Sequence, residues 1–144
     1  MATSDGGAQG RGQPTAEPPL VAIVDDDASV RTSTRRLIQS FGYRAETFAS
    51  GREFLTSPLA ARIACLVLDV RMPDVDGLEV QRQLTARHPH VPVVFISGRA
   101  SDDEERRARA AGAVDFLRKP LAAATLLEVL KKLFREELYH EDDA

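Results

Sequence analysis

Between residues 20 and 138, short continuous apolar runs alternate with stretches whose apolar positions recur every three or four residues. Leu20-Val-Ala-Ile-Val24, Ala64-Cys-Leu-Val-Leu68 and Val93-Val-Phe-Ile96 are unbroken runs of strand length, the pattern of strands covered on both faces. Tyr43 to Phe48 alternates polar and apolar positions and predicts a half-exposed edge strand. Ala113-Val-Asp-Phe-Leu117 predicts a fifth strand. Helical spacing follows each one. Val30, Thr34, Leu37, Ile38 and Phe41 share a face, closed by Gly42 as a C-cap; Gly112 closes a later helix in the same way. Ser50-Gly-Arg-Glu53 and Ser101-Asp-Asp-Glu104 read as capping boxes. Leu78 and Leu84 mark a third helix, after a loop at Met72–Asp76. The fourth carries acid-to-base pairs at i,i+4 (Asp102/Arg106, Asp103/Arg107, Glu105/Arg109), each worth a few tenths of a kcal/mol. Leu126, Val129, Leu130, Leu133, Phe134 and Leu138 line the last, from Leu121 to Leu138. Strands alternating with helices predict an α/β sheet with helices on both faces and right-handed crossovers.

The runs end on chemistry. The first stops on Asp25-Asp26-Asp27, the second on Asp69 and the third on Ser97, while the shorter run at residues 113–117 leads to Lys119-Pro120. In an open parallel sheet the carboxyl ends of the strands face one crevice where ligands bind. Separate stretches of sequence therefore deliver carboxylates, a hydroxyl and an ammonium to one place.

Composition narrows the alternatives. Residues 1–19 hold four glycines and three prolines and no large apolar residue after Met1, which predicts a flexible tail. The acidic end at residues 139–144 predicts a second tail, leaving 20–138 as one domain. A net charge of −3 gives no reason to expect nucleic-acid or membrane binding. No stretch approaches the roughly 18 apolar residues of a membrane span, and no secretory h-region is present, which points to the cytoplasm. One cysteine, Cys65, sits inside an apolar run, where it reads as core.

Asp is a favoured helix N-cap, so one residue of the acidic triplet, Asp27, is accounted for by capping. Three in a row are not. Like charges about 4 Å apart repel by roughly 4 kcal/mol at an effective dielectric of 20, and Asp69 at a neighbouring strand end adds to this. Such a cluster is destabilised, partly protonated, or holding a cation; carboxylates and carbonyls suit Mg²⁺. A carboxylate beside a divalent ion can attack a phosphoryl donor and form an aspartyl phosphate. Ser97 offers a hydrogen bond to a phosphoryl oxygen, Gly98 leaves room at the backbone, Lys119 is a compact cation for phosphate, and Pro120 admits a cis bond. His88 and His90 flank a proline with no third ligand nearby and read as a solvated loop. Walker, Gly-x-Gly-x-x-Gly and Gly-x-Ser-x-Gly patterns are absent.

Taken together, Val24-Asp-Asp-Asp27, Leu68-Asp-Val-Arg-Met-Pro-Asp-Val-Asp-Gly-Leu-Glu79, Ile96-Ser-Gly98 and Gly112-Ala-Val-Asp-Phe-Leu-Arg-Lys-Pro120 resemble the response-regulator receiver domains of two-component signalling, most closely the nitrogen-fixation (FixJ-type) branch. The motifs run in family order from about Leu20 to Phe134. The resemblance implies a doubly wound (βα)5 flavodoxin-like three-layer sandwich with sheet order 2-1-3-4-5. It implies that Asp69 accepts phosphate from a histidine kinase or histidine phosphotransfer protein. Asp25 and Asp26 would help bind Mg²⁺ (or Mn²⁺), with Asp26, Asp69 and the Arg71 backbone carbonyl as direct ligands. Ser97 would turn toward the phosphate, Lys119 would pair with it, and Phe116 would swing inward as Ser97 moves. Ser97 replaces the family's commoner Thr, and Phe116 its commoner Tyr. Arg71 and Arg99 fall at places that tune phosphate lifetime in the family.

The expected role is a phosphorylation-switched protein-binding module rather than an enzyme with outside substrates. Its output would be an unidentified downstream protein, with no direct DNA binding, since only about ten residues follow Phe134 and the domain looks stand-alone. The face made by the fourth helix, fifth strand and fifth helix is available for a homodimer. A phosphatase of the haloacid-dehalogenase type would carry an Asp where Arg71 stands. A degenerate scaffold would not need the carboxylates and Lys119.

Overall fold

The structure, a computed structural model, describes residues 17–143, with side chains described through Arg135. The tail expected at residues 1–19 therefore lies outside the described residues up to position 16. Glu17, Pro18 and Pro19 are held against the chain by Arg44: its guanidinium lies 3.3 Å from Glu17 and donates to the Pro18 carbonyl at 2.9 Å, and its N–H donates to the Pro19 carbonyl at 3.0 Å.

Five parallel strands, β1 (Leu20–Val24), β2 (Arg44–Phe48), β3 (Cys65–Leu68), β4 (Val93–Ser97) and β5 (Asp115–Arg118), form one sheet in the order β2-β1-β3-β4-β5. Helices α1 (Ala28–Ser40), α2 (Gly51–Leu55), α3 (Gly77–Arg87), α4 (Asp102–Ala110) and α5 (Ala123–Asp143) alternate with them, and a 3-10 turn spans Pro58–Ala61. β1, β3 and β4 are buried along their whole length, as their unbroken apolar runs require, whereas β2 and β5 at the edges are partly exposed.

Because strand side chains alternate between faces, each central strand feeds two cores. Ala22, Val24, Leu66, Leu68, Val93 and Phe95 pack with Phe54 of α2, Val80 and Leu84 of α3 and Ala108 of α4. Val21, Ile23, Cys65, Val67, Val94 and Ile96 pack with Ile38 of α1 and with Leu126 and Leu130 of α5. The result is the three-layer, doubly wound sandwich that the resemblance implies.

Several local readings change. Gly42 and Gly112 adopt φ of +99° and +107°, so both helix-closing glycines occupy the left-handed region. The box at Ser101 is complete. At Ser50 only half forms: Ser50 caps α2, but the Glu53 carboxylate accepts from the Ala49 N–H at 2.7 Å instead of the N-cap N–H. Of the three i,i+4 pairs expected on α4, only Glu105–Arg109 forms, at 3.1 Å. Asp103 turns to Arg106, and Asp102 to Arg118 of β5. The backbone of α5 continues five residues past the expected end at Leu138, to Asp143; no glycine or proline follows Leu121 to stop it. Side chains in the expected acidic tail, and Ala144, lie outside the described residues.

Candidate functional site

The parallel register sets the carboxyl ends of β1, β3, β4 and β5 side by side, and each delivers one polar group. Asp25 follows β1 and Asp69 follows β3; the Asp69 N–H donates to the Val24 carbonyl at 3.1 Å, which fixes one acid beside the other. Ser97 ends β4, and its carbonyl accepts from the Lys119 N–H at 3.0 Å. The following Lys119–Pro120 peptide is cis. Residues separated by up to 94 positions in sequence thus meet around one cavity of about 320 Å³, whose walls include Asp25, Asp26, Asp69, Ser97, Arg99 and Lys119.

Carboxylate oxygens of Asp25, Asp26 and Asp69 all lie within 4.8 Å of one another. Asp25 and Asp69 are buried and Asp26 is exposed. Asp27 has the separate role expected of it, capping α1 through the Ser29 and Val30 N–H groups at 2.9 and 3.3 Å. The Ser29 hydroxyl and these N–H groups hold its carboxyl below the usual range.

The Lys119 ammonium lies 3.0 Å from Asp25 Oδ2 and 3.6 Å from Asp69 Oδ2. Burial and the neighbouring Asp25 charge push the Asp69 carboxyl above its ordinary range, and Lys119 only partly opposes them. For Lys119, burial works against the charged form, but the Asp25 hydrogen bond and the charges of both acids outweigh it and raise its pKa. The remaining Asp25 oxygen accepts the Asp27 N–H at 2.9 Å, and the Asp25 carbonyl accepts from Arg31 at 2.9 Å.

Ser97 Oγ is fully buried and has no partner within hydrogen-bond geometry, although it faces Asp69 closely enough to favour that acid's charged form a little. An unpaired buried hydroxyl costs about 1–3 kcal/mol, so a group entering the cavity with an oxygen to share would be favoured. Three carboxylates are a hard-oxygen donor set that fits Mg²⁺. Both observations suit a phosphate-and-metal site.

Of the other sequence candidates, Gly98 also lines this cavity, whereas Phe116, His88 and His90 do not. Phe116 is buried (4% exposed) and stacks on Phe95 with ring centres 5.4 Å apart; it already occupies the inward position. At Gly98 the nearest neighbour is the Lys119 stem, 3.4 Å from where a Cβ would stand. The His88 and His90 rings pack edge to face, 6.2 Å apart, and join no acidic or cysteine cluster among the described residues. Sequence reasoning gave Gly77 no role, although it lies in the quoted motif. A Cβ there would come within 2.2 Å of the Asp69 carbonyl oxygen, and its N–H donates to the Val70 carbonyl at 2.8 Å. The start of α3 is thereby clamped on the backbone that carries Asp69. Only close packing in three dimensions reveals this.

A doubly wound parallel sheet with carboxylates, a hydroxyl and a lysine gathered at its strand ends defines a small class of phosphate-handling α/β domains. Residues 21–131 match the family described as the response regulator receiver domain, and the chain belongs to that family, the signalling switches of two-component systems. Nodulation protein W of Bradyrhizobium diazoefficiens is 40% identical over 111 residues, 77% of this chain and 49% of that protein. The chain spans about half the length of the curated relatives it matches. Among solved structures, chemotaxis protein CheY4 of Vibrio cholerae is 30% identical with a TM-score of 0.73, covering 81% of this chain and 98% of that one. The BeF3-activated receiver domain of DrrB, a Thermotoga maritima protein, is 29% identical with a TM-score of 0.75, covering 82% and 98%. Among the described residues no helix is long and apolar enough to cross a membrane.

Proposed function

We propose that Asp69 is the phosphoacceptor of this receiver domain and that its phosphorylation switches a protein-binding surface. One observation carries the reading: Asp69 shares its cavity with Asp25 and Asp26, a lysine within 3.6 Å, and a buried serine hydroxyl with no partner. The donor is the phosphohistidine of a histidine kinase or histidine phosphotransfer protein. An Asp69 carboxylate oxygen attacks phosphorus; the new P–O bond forms as the P–N bond breaks, and the imidazole nitrogen keeps the bonding pair. Such a transfer depends mainly on positioning and charge neutralisation.

Asp26, Asp69 and the Arg71 carbonyl would hold a divalent cation, with Asp25 in support. A bound Mg²⁺ or Mn²⁺ supplies neutralising charge for the phosphoryl oxygens. Lys119, now paired with both buried acids, turns its ammonium to the phosphoryl group. Ser97 donates its hydroxyl there, and Gly98 and the Lys119–Pro120 turn shape the wall that both residues stand on. Phe116 stacks on Phe95, two residues before Ser97 on the same strand, so the switch passes through this aromatic layer to α4, β5 and α5, where a downstream protein or a second copy would bind. The setting is the cytoplasm, where such kinases present their phosphohistidine.

The test is direct. With Mg²⁺ and a small phosphodonor, intact-mass measurement is expected to show one labile phosphoryl adduct, lost in Asp69→Asn and after chelation. An adduct that survives Asp69→Asn would place the chemistry elsewhere. Rapid turnover of diverse phosphate esters would favour a phosphatase instead.

A further inference from the structure

Glu104 holds two donors on a single oxygen. Its Oε1 accepts the Ser101 N–H at 2.9 Å, closing the cap of α4, and Arg71 Nη2 at 3.0 Å. Arg71 stands two residues after Asp69 and lines both the Asp69 cavity and an adjoining groove of about 480 Å³; Glu104 lines only the groove. The ion pair therefore draws the Arg71 guanidinium to the groove side. The two partners are unequally fixed. Glu104 is anchored by its helix cap and is 21% exposed, whereas Arg71 is 51% exposed and its side chain pairs with no other group among the described residues.

A phosphoryl group on Asp69 would bring a charge of about −1.5 to −2 and three strong acceptors within reach of the same arginine. Arg71 then has two anionic partners. Seated on the phosphoryl oxygens, its guanidinium would cover the cavity mouth through which water reaches phosphorus; seated on Glu104, it leaves that mouth open.

We propose that Glu104 is a positioning residue for loss of phosphate from Asp69, acting by holding Arg71 away from the phosphoryl group. This rests on the reading of Asp69 as phosphoacceptor. In the step concerned, water adds to phosphorus as the P–O bond to Asp69 breaks. The carboxylate leaves with the bonding pair, the water proton passes to solvent, and inorganic phosphate is released.

The experiment compares wild type, Glu104→Gln, Arg71→Ala and the double variant. Each is phosphorylated with acetyl phosphate and Mg²⁺, freed of donor, and followed by intact mass. Gln keeps an acceptor for the Ser101 N–H, and urea unfolding confirms that each variant is folded. Glu104→Gln is expected to slow phosphate loss about threefold or more, the scale of an exposed ion pair, and to have no effect where Arg71 is already Ala. A Glu104→Gln rate equal to wild type, a faster one, or the same slowing without Arg71 would overturn the proposal while leaving the phosphoacceptor intact. No adduct on the wild-type chain would overturn both.

Discussion

The Lys119 ammonium donates to Asp25 at 3.0 Å, although the two residues stand 94 positions apart in sequence. The lysine is three-quarters buried and the acid almost wholly so. It sits where a metal cation would otherwise be needed, and it partly neutralises two carboxylates that pair with no other cation among the described residues. Lys119→Met keeps the stem and removes the charge. The variant is expected to lose about 1–3 kcal/mol in urea unfolding, less than a fully buried pair because the ammonium keeps some solvent. Saturating Mg²⁺ should restore part of that loss by supplying the missing positive charge. Equal stability of variant and wild type would show that the carboxylates are tolerated without a cation.

Asp69 makes stability depend on pH in an unusual direction for an acid. Its folded pKa lies above the ordinary 3.8, raised by burial and then by Asp25. A group shifted upward favours the fold in its protonated form, so its contribution is fully present below the unfolded pKa. That contribution is lost as pH rises through the folded value. At neutral pH the ionised carboxylate is therefore a burden on the fold. Asp69→Asn removes it, and the gain in stability over wild type is expected to be larger at pH 7 than near pH 4, measured by urea unfolding without metal. A gain that shrinks as pH rises would contradict the shift. Added Mg²⁺ should stabilise wild type more than the variant.

How much of this was legible in the sequence follows from what each feature depends on. The central strands announced themselves because burial on both faces demands unbroken apolar runs, as in Ala64–Leu68. The caps at Asp27 and Ser101 are local chemistry, set by residues three apart, and they stand as read. Sheet order came only from the resemblance, since nothing in the runs themselves says that β1 lies between β2 and β3. Charge pairing on α4 was the least legible part. Asp102, Glu104 and Glu105 are claimed by Arg118 and Arg71 from strand ends, partners that helical spacing cannot reveal. Gly77 stayed hidden for the same reason: its neighbour is the backbone of Asp69.

Gly77→Ala offers a sharp contrast with Gly42→Ala. At Gly42 the backbone has φ of +99° with open space around it, so an added Cβ meets only conformational strain, about 1–2 kcal/mol. At Gly77 the Cβ would stand 2.2 Å from the Asp69 carbonyl oxygen and 2.9 Å from the Val70 Cα, so backbone must move. Overpacking of this kind costs about 3 kcal/mol or more. Urea midpoints should therefore fall much further for Gly77→Ala than for Gly42→Ala. Phosphorylation by a small donor should also slow in Gly77→Ala alone, because the displaced backbone carries the acceptor. Equal rates in the two variants would mean that α3 can yield without moving Asp69.

Phe116 bears on how the phosphorylation state is passed outward. Its ring lies nearly parallel to Phe95, at 19°, and is covered by the Arg118 guanidinium 5.3 Å from its centre. Arg118 is itself fixed by the Ala100 carbonyl at 2.6 Å and Glu105 at 2.8 Å. With no hydroxyl to hydrate, nothing draws this ring to the surface. Phe116→Tyr adds a hydroxyl to a ring that is buried between Phe95 and Arg118, and a buried hydroxyl without a partner costs about 1–3 kcal/mol. The variant is expected to be destabilised by that amount in urea, with its new tyrosine shielded from a soluble quencher. Unchanged stability with a quencher-accessible Tyr would instead mean that the ring moves outward at little cost. In that case the layer formed by Phe95, Phe116 and Arg118 is a two-position element, and relief of the buried Ser97 hydroxyl by a phosphoryl oxygen would be enough to bias it.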